Sequence, residues 1–212
     1  MTNKTSLVWA TPNGDAQLAH MARVSNPDAS LNMEGAKLIQ YLIDNKHWSP
    51  LEMVDACVCI ETTRDIGRQI LRHRSFSFQE FSGRYQSYNK LNAAPLKECR
   101  MQDSANRQNS LDTATDTLKV MWETEQQRVL ETATAAYKWA LDAGIAKEQA
   151  RAVLPEGLTP SRMYMKGNLR SWIHYIKVRT DKSTQKEHRE IAEEICSLLH
   201  TQFPNAMRAA ML

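Results

Sequence analysis

MVDACVCIETTRDIGRQILRHR, residues 53–74, carries two periodicities back to back. In its first part Val54, Ala56, Val58 and Ile60 alternate with Asp55, Cys57, Cys59 and Glu61, which reads as a strand over 53–61 with one apolar face. In its second part Ile66, Ile70 and Leu71 form one helical stripe after Thr62 and Asp65, an acidic variant of the capping box, so the spacing predicts a helix over 63–73. A change from period two to period 3.6 within one short run puts sheet and helix in the same unit. Arg64, Arg68 and Arg72 follow one another at i, i+4 and i+8 on the face away from Ile66 and Ile70. Stacked like charges repel unless anions sit among them.

Outward from this stretch the helical pattern dominates. Residues 30–46 place Ala36, Ile39, Leu42 and Ile43 on one stripe, stopped at Trp48-Ser49-Pro50. Residues 112–143 support a long helix through Leu118, Met121, Trp122, Val129, Ala133, Ala136, Tyr137 and Ala140, a stripe expected to be core, with Gly144 at the C′ position. A short helix over 148–154 ends at Pro155, Asn168 can cap a helix through Leu169, Trp172, Ile173 and Ile176, and Thr184 with Glu187 forms a capping-box pattern for a last helix bearing Ile191, Ile195, Leu198 and Leu199. No internal repeat or linker interrupts the chain. The expectation is α+β: a helix-rich single domain, 1–212, around a small antiparallel or mixed sheet.

With 42% hydrophobic and 24% charged residues, seven Gly and seven Pro, the composition excludes collagen-like and low-complexity architectures and calls for a packed core. No apolar run reaches the ~20 residues of a membrane-spanning helix, and the first residues lack a signal peptide's apolar middle, so a cytoplasmic protein is expected. Cys57, Cys59, Cys99 and Cys196 fit neither a disulfide framework nor a zinc site, and no metal is expected. The net charge of +3 is unevenly spread: residues 62–90 hold six Arg and Lys against two acids, and residues 151–182 hold seven against two.

The first basic segment also carries specific equipment. Arg72-His73-Arg74, seven residues, then Ser82-Gly83-Arg84-Tyr85 groups cations, hydroxyls and a glycine at a helix exit. The arginine fork matches phosphate oxygens, and a glycine lets backbone N–H groups approach an anion. Gln69, Gln79 and Glu80 add partners for the hydroxyls and ring nitrogens of a nucleoside. The spacing points to a nucleotide site. A nucleic-acid-binding module, with the basic helix tracking phosphates and Phe76, Phe78, Phe81 and Tyr85 stacking bases, is the alternative, although +3 is a modest charge for that task.

The same residues resemble the signature of the flavin-dependent thymidylate synthases, R-H-R, seven residues, then S, with Ser77 also in place. Ala22-Arg23-Val24-Ser25, His47 to Glu52, Arg151 to Pro155, Asn168 to Ser171 and Arg179 to Glu187 look like further blocks of that family in order. The resemblance implies that family's fold and the reductive methylation of dUMP to dTMP, with FAD as hydride carrier, methylenetetrahydrofolate as one-carbon donor and NADPH as reductant. It also implies a homotetramer with active sites between subunits, and no membrane or nucleic-acid partner.

Carried over by position, the resemblance implies that Gln69, Arg72, Glu80, Ser82, Gly83, Arg84, Arg151 and Arg179 hold dUMP. FAD would be contacted by His47, Glu52, Arg72, His73, Arg74, Ser75, Gln79, Asn168, Arg170 and His174. Arg179, Ser82 and His47 are the catalytic candidates, with Arg179 polarising the pyrimidine; Ser82 has no adjacent general base and is assigned to binding. None of the four cysteines sits in a nucleophile motif, which agrees with the flavin hydride that the resemblance implies in place of thiolate addition to the pyrimidine. Gln79 and His174, each where other members have Asn, and Ser183, where some have His, are departures on the flavin side.

Overall fold

The computed structural model describes residues 4–25, 35–91 and 93–212. In chain order the elements are β1 (Lys4–Ala10), α1 (Gly14–Ala22), α2 (Gly35–Asp44), β2 (Asp55–Thr63), α3 (Arg64–Ile70), β3 (Ser77–Glu80), the two-residue strands β4 (Met101–Gln102) and β5 (Ser110–Leu111), α4 (Asp116–Asp142), α5 (Lys147–Ala150), β6 (Pro160–Asn168), α6 (Leu169–Arg179), α7 (Lys186–Gln202) and α8 (Pro204–Ala209). The fold is α+β, as its periodicities imply. Residues 30–34 of the helix expected over 30–46 lie outside the described residues; α2 covers Gly35–Asp44 and ends two residues before the expected boundary.

Four antiparallel strands make the main sheet in the order β1-β2-β6-β3, with β2 and β6 paired from Asp55 opposite Asn168 to Thr63 opposite Pro160. Alternation sends Ala56, Val58 and Ile60 of β2 and Met163 and Met165 of β6 into the core. There they meet Trp172, Tyr175 and Ile176 of α6 and Ile191, Ile195 and Leu199 of α7. Hydrophobic burial of this one face, worth ~25 cal/mol per Å² removed from water, holds the helices onto the sheet. Across the opposite face run Lys166–Asp55 at 2.7 Å and the Arg162–Glu61 pair.

Several expectations shift. β2 runs two residues further than predicted, so α3 starts at Arg64 and ends at Ile70, and its N-cap is Thr63. Thr62 stays in the strand, and the Thr63 hydroxyl, not that of Thr62, bonds Asp65. α7 begins after Gln185 without the Thr184–Glu187 box: Thr184 Oγ1 turns to Val178 O at 3.3 Å and Glu187 is taken by Arg100. α7 is not the last helix, because Phe203 and Pro204 turn the chain into α8. Asn168 does cap α6, accepting from Ser171 N at 2.9 Å, and Gly144 ends α4 at φ 80°.

The stripe on α4 is core only in its second half. Ala133, Tyr137 and Ala140 are buried with Tyr88, whereas Leu118, Met121, Trp122 and Val129 are 37, 59, 43 and 45% exposed. In the first half only Gln126 is buried, and it clamps the backbone of Lys97, donating to Lys97 O at 2.8 Å and accepting from Lys97 N at 2.7 Å.

α8 has only six residues, too short to hold itself, and is capped from a distance. Asp15 of α1 accepts from Asn205 N at 2.7 Å and Ala206 N at 3.3 Å. Asp15→Ala is expected to lower stability by ~1.5–3 kcal/mol, the range for hydrogen bonds to a charged group. The check is the urea midpoint, which should fall with the slope of the transition unchanged.

Candidate active site

Three groups of side chains surround the exit of α3. The first is built by the unwinding of that helix: Leu71 N bonds Gly67 O, Arg72 N bonds Gln69 O and His73 N bonds Ile70 O as the last turn tightens. Phe76 then plugs the core against Trp172 and Tyr175, ring centroids 4.7 and 5.9 Å away, and so fixes where His73 emerges. His73 sits edge-on to Tyr175 at 4.8 Å, and its Nε2 accepts from Arg179 Nε at 2.8 Å. An acceptor at Nε2 requires the neutral ring with its proton on Nδ1. Burial, then the charges of Arg179, His174 and Arg72, push its pKa down to about 4, which keeps that form at neutral pH.

Arg72 and Arg74 are exposed beside it, and among the described residues Arg72, Arg74 and Arg179 have no carboxylate partner. Arg64 and Arg68 differ from them. Glu156 sits between the two, 3.6 Å from Arg64 Nε and 2.9 Å from Arg68 Nη2, so the anion this stack requires comes from the chain itself. Gln69, on the same helix, donates to Gln185 Oε1 at 2.8 Å.

The second group is the turn after β3. Ser82 O accepts from Tyr85 N and Gln86 N, both at 3.1 Å, and Ser82 Oγ faces Arg84 N at 3.4 Å. Gly83 is required here by the Tyr88 ring, because a methyl group at 83 would come within 2.5 Å of Tyr88 Cε2. Tyr88 in turn accepts from Arg64 Nη1 at 2.7 Å, tying the turn to α3. Arg84 lies 3.3 Å from Glu148 Oε2, and Arg151 Nε donates to Glu148 O at 3.3 Å, so the two arginines meet at α5. Glu80 points under α3, accepting from Ser161 Oγ at 2.7 Å. Gln79, its neighbour, is exposed and pairs with Tyr164 on the outer side of the sheet.

The third group lines a cleft of about 640 Å³ formed by Trp48, Glu52, Ser75, Asn168, Arg170, Ser171, Ile173, His174 and Lys177. Glu52 is ion-paired with Arg170, and His47 stands exposed one residue before Trp48. Trp48 offers a flat apolar surface, while Arg170 and Lys177 add positive charge, a set of groups that fits a ring system linked to phosphates. Trp48, Lys177, His188 and Tyr175 were not singled out as site residues. Lys177 was reachable, since Arg170, His174 and Lys177 share one face of α6 at i, i+4 and i+7.

Two classes of chemistry lose support. Phe76 is buried, Phe78 packs on the core and Phe81 on Tyr88, which leaves only Tyr85, 74% exposed, of the four aromatics offered for base stacking. All four cysteines are free, and burial pushes the thiols of Cys57, Cys59 and Cys196 up, away from thiolate reactivity. Among the described residues no helix is long and apolar enough to cross a membrane, and no cluster could hold a metal ion.

Residues 6–205 match the family model Thy1, described as thymidylate synthase complementing protein. The flavin-dependent thymidylate synthase of Synechocystis sp. is 48% identical over 192 residues, 91% of this chain and 87% of that protein. A probable flavin-dependent thymidylate synthase of Paramecium bursaria Chlorella virus 1 is 44% identical over 193 residues, 91% of this chain and 88% of that one. Among solved structures, the UMP/dUMP methylase PolB from Streptomyces cacaoi bound with 5-Br dUMP superposes with a TM-score of 0.83 at 25% identity, covering 98% of this chain and 94% of its own.

Proposed function

The chain belongs to the Thy1 family of flavin-dependent thymidylate synthases, and from that premise we propose that it converts dUMP to dTMP with FAD as hydride carrier, NADPH as reductant and methylenetetrahydrofolate as carbon donor. The observation that carries the reading is the neutral His73 among Arg72, Arg74 and Arg179, three cations without a carboxylate partner among the described residues. Uncompensated guanidinium groups around a neutral ring suit an anionic, hydrogen-bonding ligand such as a nucleotide.

In this reading Arg84, Arg151, Ser82 and the backbone at Gly83 take the phosphate of dUMP, while Gln69, Arg72, Glu80 and Arg179 hold its sugar and ring. His73 orients Arg179 through Nε, leaving the Nη groups to polarise the pyrimidine as negative charge develops on it. FAD would be held by Glu52, Ser75, Asn168, Arg170 and His174 in the cleft, with His47, Arg72, His73, Arg74 and Gln79 at its margins. Bound flavin supplies the hydride, which removes the need for a cysteine nucleophile. Raised thiol pKa values at Cys57, Cys59 and Cys196 support that route.

The Ser82 turn and the α3 exit stand on different elements of one chain, and we take a homotetramer to complete each site by facing the turn of one subunit with the exit of another. The exposed apolar half of α4 supports such an assembly. The whole chain then acts as one catalytic domain, and its free cysteines suit a reducing cytoplasm.

The test is the visible spectrum of the purified protein with and without added FAD, followed by anaerobic reduction with NADPH. Flavin bands that bleach faster when dUMP is present are expected. Absence of flavin binding with FAD in excess and the oligomer intact would overturn the proposal.

A further inference from the structure

The amide of Gln69 is held in one orientation by a chain of hydrogen bonds whose direction is set at its far end. Arg100 Nη2 donates to both oxygens of Glu187, at 2.7 and 2.9 Å, in a half-buried pair. A carboxylate only accepts, so Gln185 must turn its amide nitrogen to Glu187 Oε2, 2.9 Å away, and its oxygen toward Gln69. Gln69 must then donate through Nε2 at 2.8 Å, which turns its own Oε1 to His188 Nδ1 at 3.4 Å. His188 Nδ1 must carry the ring proton, and Nε2 accepts from the Tyr175 hydroxyl at 3.1 Å. His188 is fully buried on α7, and its side chain meets no solvent through which it could touch a ligand directly.

We propose that His188 is a positioning residue for nucleotide binding: its Nδ1–H, together with Gln185 Oε1, holds the Gln69 amide in the one orientation in which it meets dUMP. This rests on the assignment of Gln69 to dUMP. Without His188 the relay has no donor for Gln69 Oε1, and the amide keeps only its bond to Gln185 Oε1, a single tether about which the side chain can swing away from the ligand. From Glu187 to His188 each side-chain nitrogen and oxygen of the relay has a partner, which is the condition for a polar network to specify a single arrangement.

His188→Leu is expected to raise KM for dUMP roughly tenfold, the factor for one hydrogen bond, with kcat and NADPH-driven flavin reduction in the absence of dUMP little changed. His188→Asn, whose side-chain amide N–H reaches the place of Nδ1–H, should restore KM to within a factor of about two or three. An unchanged KM in folded His188→Leu, or no rescue by Asn, would overturn the proposal. Should neither variant fold, nitrogen-15 shifts of the His188 ring in the wild-type protein decide it, because a proton on Nε2 reverses the chain. Wild-type protein that turns over dUMP while His188→Leu keeps its KM refutes only the role of His188. Wild-type protein that binds no dUMP refutes the functional reading itself.

Discussion

Arg179→Ala is expected to lower kcat/KM for dUMP by about two to three orders of magnitude, the loss typical of removing one preorganised donor from a developing oxyanion. The side chain is half-buried at the end of α6 and anchored through Nε to His73 Nε2 at 2.8 Å, so its position is fixed before substrate arrives. A fixed charge costs no reorganisation as the ring accepts electron density, and its effect falls mainly on kcat. Arg179→Lys keeps the charge but lacks the planar fork and the Nε donor to His73, so it should recover only a small part of the loss. Arg68→Ala is the control: Arg68 is spent on Glu156, and its removal should leave kcat/KM within about twofold. Steady-state kinetics on the three variants check the ordering, and an Arg179→Ala enzyme within tenfold of wild type would remove Arg179 from the chemistry.

That contrast between Arg68 and Arg179 also shows where sequence reading stops. Residues 53–74 announce a strand and a helix because the periodicity changes within them, and Asn168 announces α6 because a cap is a local device. β6 was missed although Ser161, Met163, Met165 and Gly167 alternate inward, since methionine and glycine carry little strand signal. β1 was missed because its inward residues, Thr5, Leu7 and Ala10, are only half-buried and slip register at a bulge after Leu7. The Thr62 cap failed by one residue because pairing with β6 extends β2 to Thr63.

The candidate site divides the same way. The spacing of Arg72, His73, Arg74 and Ser82 is legible because the motif is contiguous. What each arginine does is not, because it depends on partners far along the chain: Arg68 meets Glu156 at a separation of 88 residues, and Arg179 meets His73 at 106. His188 had no pattern at all, since Gln69 lies 119 residues away and only the packing of α7 on α3 brings them together.

Two neutral histidines in that packing make the fold sensitive to mild acid. Burial, then the charges of Arg179 and His73, push His188 down to about 3, and His73 is down at about 4. Both lie below the ordinary value of ~6.5 that an unfolded chain adopts. Between pH 6.5 and these folded values the unfolded state binds protons that the folded state refuses, so stability falls as pH falls. His188 alone should contribute a slope approaching ~1.4 kcal/mol per pH unit across that window. His73, half-buried and in reach of solvent, adds in the same direction with a smaller slope. Protonating His188 would also require Nε2 to donate where Tyr175 already does, and would set a charge beside Arg179. Carboxylates held low, such as Glu156 and Glu187, lose their contribution only nearer their own pKa values, whereas Asp15 and Glu190, pushed up by burial, act in the opposite direction, so the comparison with a variant lacking His188 isolates the histidine's share. Urea midpoints at pH 7, 6 and 5 are therefore expected to drop steadily for the wild type and more shallowly for His188→Asn, which keeps a donor but cannot titrate. Equal slopes in the two proteins would mean that His188 is not held neutral by the fold, and the directed chain from Arg100 to Tyr175 would lose its premise.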